Sequence, residues 1–194
     1  AALPAYLLVG FEHLVLGYDH ILFVLMLLYL VSKPRQIFWV VSSFTLAHSF
    51  TLALSALDVM IVAQRPIEAA IAASIVLLAY ETLTDRQSLS HRFPALVAFS
   101  FGLIHGLGFA GALSEIGLPE GSRLGALLLF NIGIEIGQIA IVVGVLIALR
   151  ALPLRRLPLP TQTWLRSLPA VAIGGVASYW FIERALSIVL PLIS

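Results

Sequence analysis

Between Glu12 and His20 the chain reads EHLVLGYDH, two imidazoles and two carboxylates in nine residues, and it runs straight on into ILFVLMLLYLV. On insertion scales an Asp near the centre of a membrane helix costs about 2.5–3.5 kcal/mol. A segment of this make-up therefore needs a compensating role. His13 and His20 are seven apart and fall on one helical stripe with a drift of about 20°. Asp19 sits about 100° round from His20 and is placed either to ligate with it or to orient an imidazole. Imidazole and carboxylate without sulfur suit a borderline divalent metal such as nickel, cobalt, zinc, iron or manganese. A ligating histidine commonly hands its other ring nitrogen to a carboxylate, a role open to Asp19 and Glu135. A bound cation would neutralise the carboxylate and use lone pairs otherwise stranded in hydrocarbon. The absence of cysteine excludes disulfides and thiolate sites, and two methionines argue against a thioether-rich copper(I) path.

The elements that must position these groups are membrane helices. The 194 residues are 60% hydrophobic and 11% charged, with a mean hydropathy of +1.04. A soluble domain carries roughly 25% charged residues, so this chain cannot cover itself with polar groups. The net charge of +1 and the lack of a basic arm give no indication of nucleic-acid binding. Apolar runs long enough to cross about 30 Å of hydrocarbon fall at 5–31, 36–57, 66–83, 93–113, 122–149 and 167–193. They are too long and too unalternating for barrel strands. The expectation is an all-α polytopic protein, a bundle of six transmembrane helices forming one domain over residues 1–194.

Lys33, Arg35, Arg86, Arg92, Arg150, Arg155, Arg156 and Arg166 crowd the first, third and fifth loops, against Arg65 and Arg123 in the second and fourth. The positive-inside rule then puts both termini outside. The opening AALP fits removal of a signal peptide and equally fits an engineered boundary. Ser43-Phe44-Thr45-Leu46-Ala47-His48 is echoed by Ser100-Phe101-Gly102-Leu103-Ile104-His105, and the same offset lays Ser74 on Asn131 and Glu81 on Gln138. A degenerate parallel repeat of spans two–three and four–five competes here with chance matching among apolar helices.

Counted from the outer ends at 1.5 Å per residue, His13, His48, His105, Ser74 and Asn131 lie about eight or nine residues deep. Asp19, His20, Glu135 and Gln138 lie deeper, near the midplane. Together they occupy one slab across five spans. Asn131, Glu135 and Gln138, spaced i, i+4, i+7, make one polar face. The metal-ligand candidates are His13, Asp19, His20, His48, His105 and Glu135, with Ser49, Ser74, Glu81, Asn131 and Gln138 supporting them or lining a path. A single membrane histidine or asparagine is often only interhelical hydrogen-bonding glue. The helix 1 cluster resists that reading because glue needs one polar group. His91, in a loop beside Arg92, reads as ordinary surface. Glu68 behind Pro66 reads as a charge at a helix start.

The pattern H-x5-D-H in His13–His20 resembles the HupE/UreJ family of bacterial membrane proteins, closest to the HupE/UreJ-like branch. The likeness extends through FTLAHSFTLAL, IEAAIAASIVLLAYE, FGLIHGLGFAGAL and FNIGIEIGQ. It implies nickel or cobalt uptake, with His13, Asp19 and His20 capturing the ion. In the permease branch the helix 4 motif carries a glutamate seven residues after its histidine; this chain has Ala112. Three functions compete. The first is a divalent-cation transporter without an ATP-binding motif, its path within one protomer or between several of a homo-oligomer. The second is an intramembrane zinc hydrolase in which Ser49, Ser74 or Glu135 assists a metal-activated water. The third is a metal sensor or chaperone. The nearly bare inner halves of spans two and four suit a closed site or a gate; the resemblance favours transport.

Overall fold

The computed structural model is all-α. It describes residues 3–31, 33–84, 88–109, 117, 119, 121–151 and 159–193, with the backbone alone at 34, 159–166, 192 and 193. The first apolar run folds as Ala5–Leu16 (α1) and Tyr18–Leu30 (α2), followed by Pro34–Ala56 (α3) and Gln64–Thr84 (α4). One turn, Leu89–Arg92 (α5), leads into Pro94–Gly108 (α6), and Arg123–Ala151 (α7) and Leu159–Ile193 (α8) follow. Prolines open α3 and α6, where the missing N–H would have had no helical partner in any case. Asp58, with φ 59°, ends α3 in a left-handed cap, a conformation that a short polar side chain tolerates.

The chain is a multi-pass membrane protein. Among the described residues four helices are long and apolar enough to cross a bilayer: Arg35–Ala56 of α3, α4, α7 and Ser167–Pro191 of α8. The α1–α2 pair makes a fifth if counted as one span. The single helix expected over 5–31 is corrected to two, because the run breaks at Gly17 and bends by 69°. Gly17 is extended (φ −77°, ψ 95°), and the break puts its N–H on His13 O at 3.0 Å. The run expected over 93–113 is represented by the 15 residues of α6, roughly 22 Å of helix against about 30 Å of hydrocarbon. Positions 110–116, including Ala112, lie outside the described residues, as do Arg86, Arg155 and Arg156.

Helix directions follow from which residues meet. Gly102 and Gly106 of α6 lie against Phe44 and His48 of α3, so partner numbers rise together and these helices run parallel. The same holds for α1 and α7, where Leu3 lies on Gly125, Gly10 on Phe130 and Leu14 on Gly137. By contrast His48 lies beside Asn131 while Val41, seven residues earlier, shares a buried cluster with Val142, so α7 runs antiparallel to α3. Likewise α8 runs against α4, with Arg184 on Glu68 and Gly174 on Ala79. Ser74 meets His105 and Ile71 meets Gly108, so α4 also runs against α6, and successive long elements alternate in direction.

Lipid tails are as apolar as leucine, so helices associate in membranes through close packing and hydrogen bonds rather than hydrophobic burial. The glycines show where. A Cβ on Gly10 or Gly133 would strike the backbone of Phe130 or Leu7 across the α1–α7 seam, and one on Gly106 would strike His48 O and Thr51 Oγ1 across the α3–α6 seam. Gly102 and Gly106 form one small-residue stripe and Gly133 and Gly137 another. The first stripe presses α6 onto α3 beside the two SFxLxH histidines. At the centre α2 packs Phe23, Met26 and Leu27 into a core shared with Phe44, Ile75 and Leu78.

Candidate metal centre

The break at Gly17 shapes the site. It ends α1 one turn after His13 and starts α2 with Asp19 and His20 in its first turn. The bend folds the two histidine rings together at 4.6 Å between centroids. Only glycine fits there, since a Cβ would lie 2.6 Å from His13 O, 2.9 Å from His20 Nδ1 and 3.3 Å from Asp19 Oδ1. His48 of α3 completes a cluster. One ligand atom from each of His13, His20 and His48 lies within 4.8 Å of the others. His48 is fully buried and His20 is 3% exposed.

The donor set is incomplete without a ligand. His13 Nε2, His20 Nε2 and both nitrogens of His48 are buried with no hydrogen-bond partner among the described residues. Leaving a buried polar atom unsatisfied costs about 1–3 kcal/mol, so four such atoms in one place call for something that binds them. A divalent cation fits this chemistry, because neutral imidazole offers a lone pair and no competing charge. Asp19 Oδ1 stands 3.1 Å from His20 Nδ1 and also accepts the His20 backbone N–H at 2.9 Å. Taking the proton on Nδ1 leaves the Nε2 lone pair of His20 free for an ion, the usual carboxylate–histidine arrangement at metal sites. Asp19 thus orients the His20 ring, and it lies outside the cluster of three.

His105 stands beside the cluster, its ring 5.2 Å from His20, with Nε2 3.4 Å from Ser74 Oγ and Nδ1 buried and unpartnered. Asn131 lies alongside His48; its Nδ2 donates to Leu127 O at 2.7 Å, and its buried Oδ1 makes no hydrogen bond among the described residues. Gln138 receives the Thr45 hydroxyl on Oε1 at 2.6 Å. Glu135 is not drawn into the cluster. It accepts a 3.0 Å hydrogen bond from Ser42 and lines, with Ser49 and Asn131, an open groove of about 520 Å³ between α3 and α7. Ser49 itself donates to Thr45 O at 2.6 Å. Glu81 sits apart on α4, two turns beyond Ser74, with a buried and unpartnered Oε2.

Four residues outside the sequence-based candidates complete the surroundings. Phe109 lies on His13 at 3.7 Å between centroids and stacks on Phe130, covering one side of the cluster. Phe44 holds the rings of His48 and His105 at 5.9 and 5.2 Å. Gly17 and Glu12 line an open groove of about 330 Å³ that reaches His13 and Phe109. Gly17 lay inside the motif, where a glycine breaking a helix was the available signal. Phe109 follows His105 by one helical turn, yet nothing in its type points to a role.

A sequence profile described as HupE / UreJ protein matches residues 1–184. The chain belongs to the HupE/UreJ family. That membership covers every element described above except the last turns of α8. No curated protein and no solved structure matches the chain.

Proposed function

We propose that this HupE/UreJ protein carries a divalent transition-metal ion of the nickel or cobalt type across a bacterial inner membrane. The ion is received by His13, His20 and His48, with Asp19 orienting His20. The observation that carries this reading is the cluster of buried, unpartnered imidazole nitrogens within 4.8 Å of one another. The family's association with nickel and cobalt uptake supports the choice of cargo, and the groove between Glu12 and Phe109 supplies an approach to His13. Within this reading the chain is one domain of six spans with both termini outside, α6 belonging to the fourth. The alternating helix directions support that count.

In this scheme the site binds by geometry rather than by charge. Three neutral nitrogens and a nearby carboxylate accept the ion once it sheds water, and Phe109 excludes bulk solvent from it. The test is elemental analysis of purified protein after nickel, cobalt or zinc loading, followed by uptake into proteoliposomes. One ion per chain in the wild type, lost in His13→Ala, Asp19→Ala and His20→Ala, is the expected result. Equal trace metal in wild type and variants overturns the site. Stoichiometric binding with no uptake of any of the three metals overturns transport, and leaves zinc-type hydrolysis at the same centre as the competing reading.

A further inference from the structure

Between the histidine cluster and the end of the bundle carrying Lys33, three helices close on a small chamber. On α2, Val24, Leu27 and Val31 follow His20 at one, two and three turns; on α3, Val41 precedes Thr45 and His48; on α7, Val142 follows Gln138. The chamber holds about 10 Å³, at the lower limit for a single water. A constriction with walls this apolar stays dry and blocks an ion.

Gln138 is the single polar residue on that wall, and its hydrogen bonds are unfinished. It is 1% exposed, its Oε1 accepts the Thr45 hydroxyl at 2.6 Å, and its Nε2 is buried with no partner among the described residues. Thr45 has a second acceptor in reach, Val41 O at 3.2 Å. A hydroxyl carries one hydrogen and serves one acceptor well at a time. With the hydrogen on Gln138, the amide oxygen is withheld and the wall is shut. With the hydrogen on Val41 O, the amide is free to turn its oxygen into the chamber.

We infer that Thr45 and Gln138 form a latch on the inner side of the site, and that Gln138 Oε1 is the first oxygen an ion meets after leaving the histidines. This deepens the transport reading and rests on it. An amide oxygen suits the step because it replaces one water of hydration without adding charge, so the ion is not trapped. The swap needs only a rotation of two side chains, since both acceptors are already beside Thr45. Helices α2, α3 and α7 then need to part by little more than the width of the ion.

The experiment compares nickel(II) and cobalt(II) uptake into proteoliposomes with the binding stoichiometry of the same preparations. Gln138→Leu is expected to lose uptake at least tenfold while still binding one ion per chain, and Gln138→Met serves where the leucine variant does not yield folded protein. Thr45→Val, which frees the amide oxygen, is expected to transport at least as fast as the wild type. A merely structural contact would make both variants fall together. Uptake by Gln138→Leu within twofold of wild type, or a parallel loss in Thr45→Val, overturns the latch. A wild-type protein that binds but does not transport overturns the transport reading, and the latch with it.

Discussion

The half of the bundle built on α3 and α7 and the half built on α6 and α4 each carry a histidine in the same Ser-Phe-x-Leu-x-His setting, yet they treat their histidines differently. His48 and His105 sit on the parallel helices α3 and α6, and His20 of α2 stands between them, 5.9 Å from one ring and 5.2 Å from the other. Phe23, one turn further along α2, likewise meets Phe44 at 5.0 Å and Phe101 at 5.8 Å. The supporting residues cross over. Asn131 of α7 attends His48, and its counterpart Ser74 of α4 attends His105. One half leaves both imidazole nitrogens of its histidine bare beside His13; the other occupies Nε2 with a serine and sets its ring against Phe23 at 4.8 Å. The two halves thus present one histidine with both ring nitrogens bare among the described residues and one whose Nε2 faces a serine.

The sharpest way to break that distinction is to remove each histidine in turn. His48→Ala deletes one of three clustered ligands and should weaken metal binding by at least about 100-fold, beyond the 10–100-fold typical of outer-shell losses. His105→Ala should cost about tenfold. Calorimetric titration of nickel into detergent-solubilised protein measures both. Equal losses would place the ion between His20 and His105 instead, and the asymmetry of the two halves would be lost.

Next in size is the bend that joins α1 to α2, which has no counterpart in either half. Gly17→Ala forces a methyl group against His13 O and His20 Nδ1. It should weaken binding by about 10–100-fold, as displacement of a ligand's supporting contacts does, without abolishing the fold. Unchanged affinity would mean that the bend does not set the spacing of His13 and His20.

How much of this was legible in the sequence depends on what each feature rests on. Hydropathy located the long helices, because burying backbone polar groups in hydrocarbon leaves helices as the only open spanning form. The sharing of one slab by His13, His20, His48 and His105 followed from depth counting. Depth carries no azimuth between helices, however. Glu135 lies at the right level, yet it points to Ser42 and the α3–α7 groove, since only packing decides which face of α7 meets which neighbour. The break in the first run was hidden because a glycine within an apolar stretch is more often a packing device than a bend. The SFxLxH echo marks two helices that meet, but the crossing of Ser74 and Asn131 to opposite partners is a property of the assembled bundle.

The glycine seams offer a third contrast, between α3–α6, where Gly106 faces His48, and α1–α7, where Gly133 faces Leu7 and Phe11. Gly106→Ala and Gly133→Ala each place a methyl group on backbone atoms of the facing helix, and each should destabilise by about 1–3 kcal/mol, as overpacking does. Only Gly106→Ala presses on His48 O, so only that variant should also lower metal affinity. Gly144→Ala, with nothing within 4 Å of its added Cβ, should be neutral or gain up to about 1 kcal/mol through helix propensity. Thermal unfolding with and without nickel separates these outcomes. A matching affinity loss in Gly133→Ala would show that the seams act on the site through the whole bundle.

The smallest expected effect concerns which nitrogen of His105 carries its proton. Ser74 Oγ lies 2.6 Å from Ile71 O and 3.4 Å from His105 Nε2. The serine hydrogen belongs on the nearer, stronger acceptor, which leaves only lone pairs facing His105. Nε2 must then hold the hydrogen, and the buried Nδ1 is the bare nitrogen, because the hydrogen bond made by one ring nitrogen sets the state of the other. Ser74→Ala removes a long hydrogen bond worth about 0.5 kcal/mol, roughly a twofold change in affinity, but it also releases the tautomer. Nitrogen NMR of labelled histidine should show His105 protonated on Nε2 in the wild type and mixed between the two nitrogens in Ser74→Ala. An unchanged tautomer in the variant would assign the choice to the ring's packing against Phe23 and Phe44. The serine and the asparagine of the two halves would then differ in sequence without differing in what they do.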